Sequence, residues 1–292
     1  MAAAETFETY RPYLFSVAYR MLGSAMDAED MVQETWVRYQ ATPPETIRSL
    51  KAWLTTVISR LCMDQLQLAH RKREQYIGPW LPEPILTPEA AALADAGNPE
   101  RRVGLQESIS LAFLTLLEQL QPFERAAFLL REVFGYEFAE IASMLGKTET
   151  ACRRSFSRAK LHLREHRPRF AASPETHQRL LLGFFTAVQG GDMDALTGML
   201  AEDVTMWADG GGKIKGAATR PVSGREAVAR FILGTRRLLP DGASGEFEEV
   251  NGSAALVIHV GDQPFLVLTI EVAQGRIQAL RIIGNPEKLT RV

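Results

Sequence analysis

The spacing of apolar residues changes along the chain, and this change limits the possible folds. In residues 5–72 and 105–166, apolar residues recur three or four positions apart, which places them on one face of a helix. Beyond residue 240 they form four short runs separated by polar two-residue turns, at 246–250, 254–260, 264–272 and 276–283. Such turns are typical of antiparallel hairpins. The pattern therefore predicts helical domains followed by an α+β domain.

Proline clusters divide the 292 residues, a length that favours two or three domains. Five of the 15 prolines lie between Pro79 and Pro99, and Pro168 and Pro174 mark a second boundary. Because proline at this density prevents one continuous helix, we expect four segments. They are an all-α domain over 1–73, a proline-rich linker over 74–104, a second all-α domain over 105–167 and an α+β domain over 174–292.

A glycine turn in the second helical domain predicts a helix-turn-helix unit. A short helix around Ile141 ends at Gly146, which supplies a left-handed stop, and Thr148 can cap the long helix that follows. The spacing predicts a buried stripe of Cys152, Phe156, Ala159 and Leu163. A major groove admits such a helix, so we expect outward side chains there to contact DNA: Thr150, Arg153, Arg154, Ser157 and Arg158.

The net charge of −2 hides an uneven distribution. Residues 1–47 carry seven acidic and three basic side chains, whereas residues 147–169 carry eight basic and two acidic ones. An acidic head and a basic middle suggest two different partners. On the acidic part, helical spacing places four polar residues on one face, which phosphates would repel: Asp27, Asp30, Gln33 and Glu34.

Several classes of protein are excluded by composition. Two cysteines, Cys62 and Cys152, cannot build a disulfide framework, and no C-x-x-C pair is present to hold zinc. The N-terminal residues lack a basic-then-apolar signal pattern. We therefore expect a cytoplasmic protein that contacts no membrane and has no catalytic residues, no metal and no cofactor. His259 lies in a strand pattern and is interpreted as a packed or surface residue.

Two groups of motifs resemble the extracytoplasmic-function (ECF) sigma factors of the sigma-70 family. The segment Asp27–Thr35 resembles their region 2, and Trp53–Val57 through Asp64 resembles the later helix of that region. The segments Phe123–Phe128 and Gly146–Arg164 resemble region 4. The likeness spans residues 7–165.

Three further segments resemble a sub-group of ECF factors fused to a C-terminal SnoaL-like domain of the nuclear-transport-factor-2-like fold. They are Trp80–Pro84, Asp209–Lys213 and Asn285–Leu289. This resemblance implies that the α+β domain is cone-shaped and regulates the protein in cis, without a separate membrane anti-sigma factor. The expected regulatory contacts are Trp80, Leu81, Pro82, Asp209, Gly210, Gly211, Gly212, Lys213, Asn285, Pro286 and Leu289.

The resemblance also implies partners and roles. The protein would direct promoter-specific transcription initiation, with core RNA polymerase bound by the acidic face and the −35 element read by the basic helix. A small molecule could occupy the cone-shaped domain. The −10 element would be held by basic residues of the third helix and its approach: Arg48, Lys51, Arg60, Arg71, Lys72 and Arg73.

Two alternatives stay open at this level. A ligand-sensing regulator could use only the helix-turn-helix, without starting transcripts. The C-terminal domain could instead be an enzyme, because SnoaL-like domains include cyclases and isomerases, and a fold does not settle a function.

Overall fold

A computed structural model describes residues 2–73, 75–87, 109–166 and 172–292. Within these ranges the chain divides into two compact units. The first contains residues 2–73 and 109–166, and the second contains residues 75–87 and 172–292. Part of the segment predicted as a linker therefore belongs to the second unit, while its remainder, 88–104, lies outside the described residues.

The first unit is helical, as predicted. Its elements are α1 (Ala2–Leu22), α2 (Ala25–Ala41), α3 (Leu50–Arg73), α4 (Leu111–Leu117), α5 (Pro122–Phe128), α6 (Phe138–Leu145) and α7 (Glu149–His166). The local signals explain their bounds. The Ser24 hydroxyl accepts a hydrogen bond from the Asp27 amide at the start of α2, and Pro122 opens α5. Gly146 ends α6 with φ 63°.

A buried arginine connects the two helical parts of the first unit. The Arg125 guanidinium, 2% exposed, donates to the Met21 carbonyl at the end of α1 and to the Glu118 carboxylate, at 2.6 and 2.7 Å. Burial lowers the pKa of Arg125 to about 9. The Tyr13 and Tyr136 hydroxyls lie 2.9 Å apart and make a second connection. The helical parts on either side of residues 74–108 therefore pack as one body.

The second unit is α+β, as predicted. Its helices are α8 (Pro174–Gly190), α9 (Met193–Met199) and α10 (Arg225–Thr235), and its strands are β1 (Leu200–Asp209), β2 (Val222–Ser223), β3 (Ala243–Val250), β4 (Ser253–Val260), β5 (Gln263–Ala273) and β6 (Arg276–Ile283). Apolar residues of the helices and of one sheet face, such as Phe184, Val228 and Leu256, form its core.

The strands of the second unit form one sheet in the order β2-β1-β6-β5-β4-β3. The predicted meander, β3 to β6, is antiparallel throughout. Strand β1 was not expected from the sequence. It pairs in parallel with β6, so that Asp209 lies opposite Ile283. This pairing brings the end of β1 next to the C-terminal segment that follows β6.

Candidate functional site

The basic helix α7 has the face division expected from its spacing. Cys152, Ala159 and Leu163 are buried, and Phe156 is half-buried against the ring of Phe128. The Thr148 hydroxyl accepts a hydrogen bond from the Ala151 amide and caps the helix. The five residues predicted to contact the −35 element are exposed on its other face: Thr150, Arg153, Arg154, Ser157 and Arg158.

The arginines of this face differ in their contacts. Arg153 pairs with Glu149 one turn earlier, and Arg158 pairs with Glu124 of α5 at 2.9 Å. Arg154 has no ion pair with any described residue. Exposed pairs of this kind are worth little free energy, so phosphate or base edges can displace the carboxylates at small cost.

The residues predicted to hold the −10 element are divided by the structure. Arg48 and Lys51 are exposed, with the Lys51 ammonium 4.8 Å from the Tyr13 ring centre. Arg60 is engaged, because its guanidinium donates to the carbonyls of Met144 at 2.6 Å and Ser143 at 3.2 Å. The side chains of three others lie outside the described residues: Arg71, Lys72 and Arg73.

The Arg60 contacts have a consequence for the whole first unit. Ser143 and Met144 lie at the C-terminal end of α6, where unpaired carbonyls carry partial negative charge. Arg60 satisfies that end of the helix, and α3 thereby packs on the first helix of the helix-turn-helix. The surface of α3 near Arg60 is occupied by the chain itself in this arrangement.

The acidic face of α2 is present, but its members are unequal. Asp30 and Gln33 are exposed. The Asp27 carboxylate accepts a hydrogen bond from the Gln65 amide at 3.1 Å, and Glu34 pairs with Arg38 at 2.9 Å. Asp30 and Gln33 are therefore the members with the most exposed polar surface for a partner protein.

In the second unit, residues far apart in sequence meet at Asp209, whose side chain is completely buried. Its Oδ1 accepts hydrogen bonds from the Tyr76 hydroxyl at 2.6 Å and the Gly211 amide at 3.2 Å. Its Oδ2 accepts from the Leu81 amide at 2.8 Å and the Lys288 ammonium at 2.7 Å. We call Tyr76, Leu81, Asp209, Asn285 and Lys288 the Asp209 cluster.

The C-terminal segment completes this cluster. The Lys288 ammonium also donates to the Leu81 carbonyl at 2.5 Å and lies 3.9 Å from the centre of a Trp80 ring, a cation–π distance. The Asn285 amide donates to the Tyr76 hydroxyl at 2.9 Å. Burial and the bond to Asp209 raise the pKa of Tyr76 above its ordinary value. The three signature segments identified in the sequence thus contact one another.

Glycines let the loop after β1 approach the other two segments. Gly211 has φ 57°, and a Cβ atom there would lie 2.5 Å from Nδ2 of Asn285. Gly212 has φ 72°, and a Cβ atom there would lie 2.9 Å from the Ile77 side chain. Other residues would be strained at these φ values and would also meet their neighbours.

A second contact site, which the sequence did not indicate, holds the other end of residues 75–87. The backbone N–H of Ile85 donates to the side-chain Oδ1 of Asn251 at 3.0 Å, and the backbone N–H of Asn251 donates to the Ile85 carbonyl at 2.9 Å. The Gly252 amide donates to the Thr87 hydroxyl at 2.8 Å. In the sequence, Asn251-Gly252 indicates only the turn between the runs 246–250 and 254–260. Residues 75–87 are consequently fixed at both ends on the second unit.

A cavity of about 430 Å³ lies between the sheet and the helices of the second unit. Its walls are mostly apolar and include Phe184, Phe231, Leu256 and Leu268. Asp209 is also among the residues that line it. The cavity therefore shares a wall with the Asp209 cluster.

Two observations bear on other kinds of site. Glu246, Glu248 and His259 form a group of potential metal ligands among the described residues, with ligand atoms within 4.8 Å of one another. Glu246 is exposed, and the expectation that the protein holds no metal stays a prediction. Among the described residues, no helix combines the length and apolar composition that a membrane crossing requires.

Comparison with known proteins gives matches along nearly the whole chain. Residues 6–73 match the model of Sigma-70 region 2, and residues 110–163 match Sigma-70 region 4. The ECF RNA polymerase sigma factor SigJ of Mycobacterium tuberculosis is 36% identical over 97% of this chain and 92% of its own.

Two further comparisons agree. The probable ECF RNA polymerase sigma factor SigI of the same species is 30% identical over 97% of this chain and 93% of its own. The crystal structure of M. tuberculosis SigJ covers 99% of this chain and 98% of its own with a TM-score of 0.75 at 35% identity.

Proposed function

Since the chain belongs to the ECF sigma factors, which direct promoter-specific transcription initiation by core RNA polymerase, we propose that its C-terminal unit controls this activity by holding the linker. The observation that carries the proposal is the Asp209 cluster. It fixes residues 75–87, the first part of the connection between region 2 and region 4, on the α+β domain. The factor acts in the cytoplasm, where it meets core polymerase and promoter DNA.

The distance between the promoter elements explains how a fixed linker would restrain transcription initiation. The −10 and −35 elements lie about 25 base pairs apart, or roughly 85 Å at about 3.4 Å per base pair. In the first unit, regions 2 and 4 touch through the Arg60 and Arg125 contacts. Both elements are bound at once only when these regions separate. A linker fixed at Leu81 and Ile85 opposes that separation, because those residues cannot extend.

We propose the same DNA contacts that the sequence suggests. Thr150, Arg153, Arg154, Ser157 and Arg158 read the −35 element from the exposed face of α7. The −10 strand is held by Arg48, Lys51 and Arg60, together with Arg71, Lys72 and Arg73. Because the Arg60 guanidinium is bonded to the end of α6, its contact with DNA requires regions 2 and 4 to part first.

The exposed part of the acidic face, Asp30 and Gln33, supports a docking role toward core polymerase, with Asp27 and Glu34 at its border. Its charge repels phosphates, so it has no place on the DNA side. We also propose that the C-terminal unit performs no catalysis. Both oxygens of Asp209, the carboxylate of the cavity lining, accept two hydrogen bonds each, which leaves it unable to act as a general base.

Run-off transcription from one promoter tests the proposal. Trp80→Ala removes the ring beside the Lys288 ammonium, and a chain ending before Asn285 removes Lys288 itself. We expect both variants to start more transcripts than the unaltered protein at equal soluble concentration, with the truncation stronger. Arg230→Met is the matched control, because Arg230 forms an exposed pair with Glu226 on α10, outside the cluster. Equal activity of all four proteins would overturn the proposal, and absence of any transcript would favour a repressor.

A further inference from the structure

The cavity of the second unit is suited to an organic molecule. Its volume of about 430 Å³ falls in the range of small-molecule sites. Aromatic rings of Phe184, Phe185, Phe231 and Phe265 line it together with aliphatic side chains. Such walls gain free energy by covering an apolar body, and the Phe-rich composition suits a planar one.

Two positively charged residues of the lining indicate which class of ligand the cavity would bind. Lys215 and Arg236 line the cavity and are exposed, and neither forms an ion pair with any described residue. The Arg236 guanidinium donates to the Val188 carbonyl at 3.1 Å, which leaves its charge uncompensated. The carboxylate of the lining, Asp209, is already neutralised by Lys288. The lining therefore combines two exposed cations with mostly apolar walls.

We propose that the cavity binds an amphipathic organic anion, with an apolar, preferably planar body inside and an acid group between Lys215 and Arg236, and that this ligand strengthens the docking of the linker. The proposal rests on the proposed function for its regulatory meaning. The binding itself does not depend on that function.

The direction of the effect follows from the shared wall. Asp209, Gly210, Ile214 and Ala217 line the cavity, and the same loop holds Tyr76, Ile77 and Leu81 of the linker. The cavity has its present shape while the linker is docked. A molecule that fits this shape binds the docked state better than the undocked one, and it shifts the population toward docking.

Titration of the full-length protein with fluorescent 1-pyrenebutyrate tests the binding. We expect saturation at one molecule per chain and weaker binding of neutral 1-pyrenebutanol. Replacing both exposed cations, Lys215→Gln and Arg236→Gln, should weaken the binding of pyrenebutyrate about fivefold to tenfold and leave the binding of pyrenebutanol unchanged. Leu266→Trp, which fills the cavity, should weaken both probes.

The controls separate the parts of the proposal. Arg230→Gln removes an exposed cation away from the lining and should change nothing. Equal affinity for the two probes, unaffected by the Lys215 and Arg236 substitutions, would overturn the anionic class. Unchanged binding to the folded Leu266→Trp protein would place the probe outside the cavity and overturn the site.

Hydrogen exchange tests the link to the linker. The Leu81 and Ile85 amides donate to Asp209 and Asn251, so their exchange reports docking. Saturating pyrenebutyrate should slow exchange in the peptide over 76–87 about threefold or more. Unchanged or faster exchange with the probe bound would overturn the coupling. Failure of the proposed function would appear instead in the transcription assay, which contains no probe.

Discussion

Helix α7 and the Asp209 cluster both use charged side chains, but in opposite environments. On α7, the Arg153 and Arg158 side chains are 59% and 69% exposed, and their partners Glu149 and Glu124 are 45% and 16% exposed. In the cluster, the Lys288 and Asp209 side chains are 6% and 0% exposed. The first set can change partners at little cost, whereas the second cannot lose a partner without leaving a charge buried.

This difference matches two roles. A surface that binds DNA must give up its own carboxylates when phosphates arrive, and exposed pairs allow that. A contact that holds a linker must resist thermal release, and a buried pair with every oxygen satisfied does so. The same residue types thus form ion pairs that can exchange partners in one unit and an ion pair that keeps its partner in the other.

Removing the buried ion pair between Lys288 and Asp209 should change stability more than any other substitution considered. Lys288→Met leaves the Asp209 carboxylate buried without its cation and should lower the unfolding free energy of the second unit by about 3–5 kcal/mol. Lys213→Met, which removes an exposed pair with Glu287, should change it by less than about 0.5 kcal/mol. Urea unfolding followed by near-ultraviolet circular dichroism measures both. Similar small losses in the two variants would remove the contrast between buried and exposed pairs.

The next effect concerns the exposed arginines. Alanine at Arg153, Arg154 or Arg158 should each cost about 1–3 kcal/mol of promoter binding and relax preference at the −35 element. Arg154→Ala should cost the most, because Arg154 gives up no ion pair on binding. Holoenzyme binding to promoter variants measures this, with Arg230→Ala as a control for total charge. Unchanged affinity in the triple variant would show that α7 does not read the element.

A smaller effect is expected at the acidic face of α2. Reversing Asp30 and Glu34 to lysine should weaken holoenzyme assembly about tenfold, because exposed charges contribute modestly to an interface. Binding to −35 DNA by α7 should persist. Titration with core polymerase measures assembly, and Glu226→Lys, on an exposed part of α10, is the control. Unimpaired assembly would move the docking surface elsewhere.

The smallest effect is expected from removing the hydrogen bond between Tyr76 and Asp209. Tyr76→Phe removes one donor to Asp209 from a half-buried site and should cost about 1 kcal/mol. Since the pKa of Tyr76 is raised in the folded protein, its contribution is complete below about pH 10, the unfolded pKa, and decreases as the pH rises above it. The stability difference from the unaltered protein should shrink in that range. A constant difference would place the effect outside this hydrogen bond.

Local signals made much of the fold predictable. Gly146 fixes the turn of the helix-turn-helix by its backbone conformation, and Thr148 caps the following helix with its hydroxyl. Polar two-residue turns, such as Gln274-Gly275, fix the meander from β3 to β6. Spacing misleads at one position: Leu68 continues the seven-residue spacing of the buried Leu54 and Leu61 in α3, yet it is 55% exposed. Helical spacing alone does not show where the neighbouring helices stop.

The parts that escaped prediction depend on distant residues. Strand β1 follows α9 without a break and pairs in parallel with β6, about 70 residues later. Asp209 and Lys288 carry charges, which usually indicate exposure, and only their pairing makes burial tolerable. The sequence marked the three segments through a family resemblance, but the contact between them, and the role of Asn251, required the structure.

Hydrogen exchange of residues 76–87, compared between the free protein and the promoter-bound holoenzyme, shows whether docking of the linker restrains initiation. We expect the Leu81 and Ile85 amides to be protected in the free protein, because they donate to Asp209 and Asn251. We expect this protection to be lost when regions 2 and 4 occupy the two promoter elements. Protection that is equally strong in the promoter-bound holoenzyme would contradict the claim that linker docking restrains initiation.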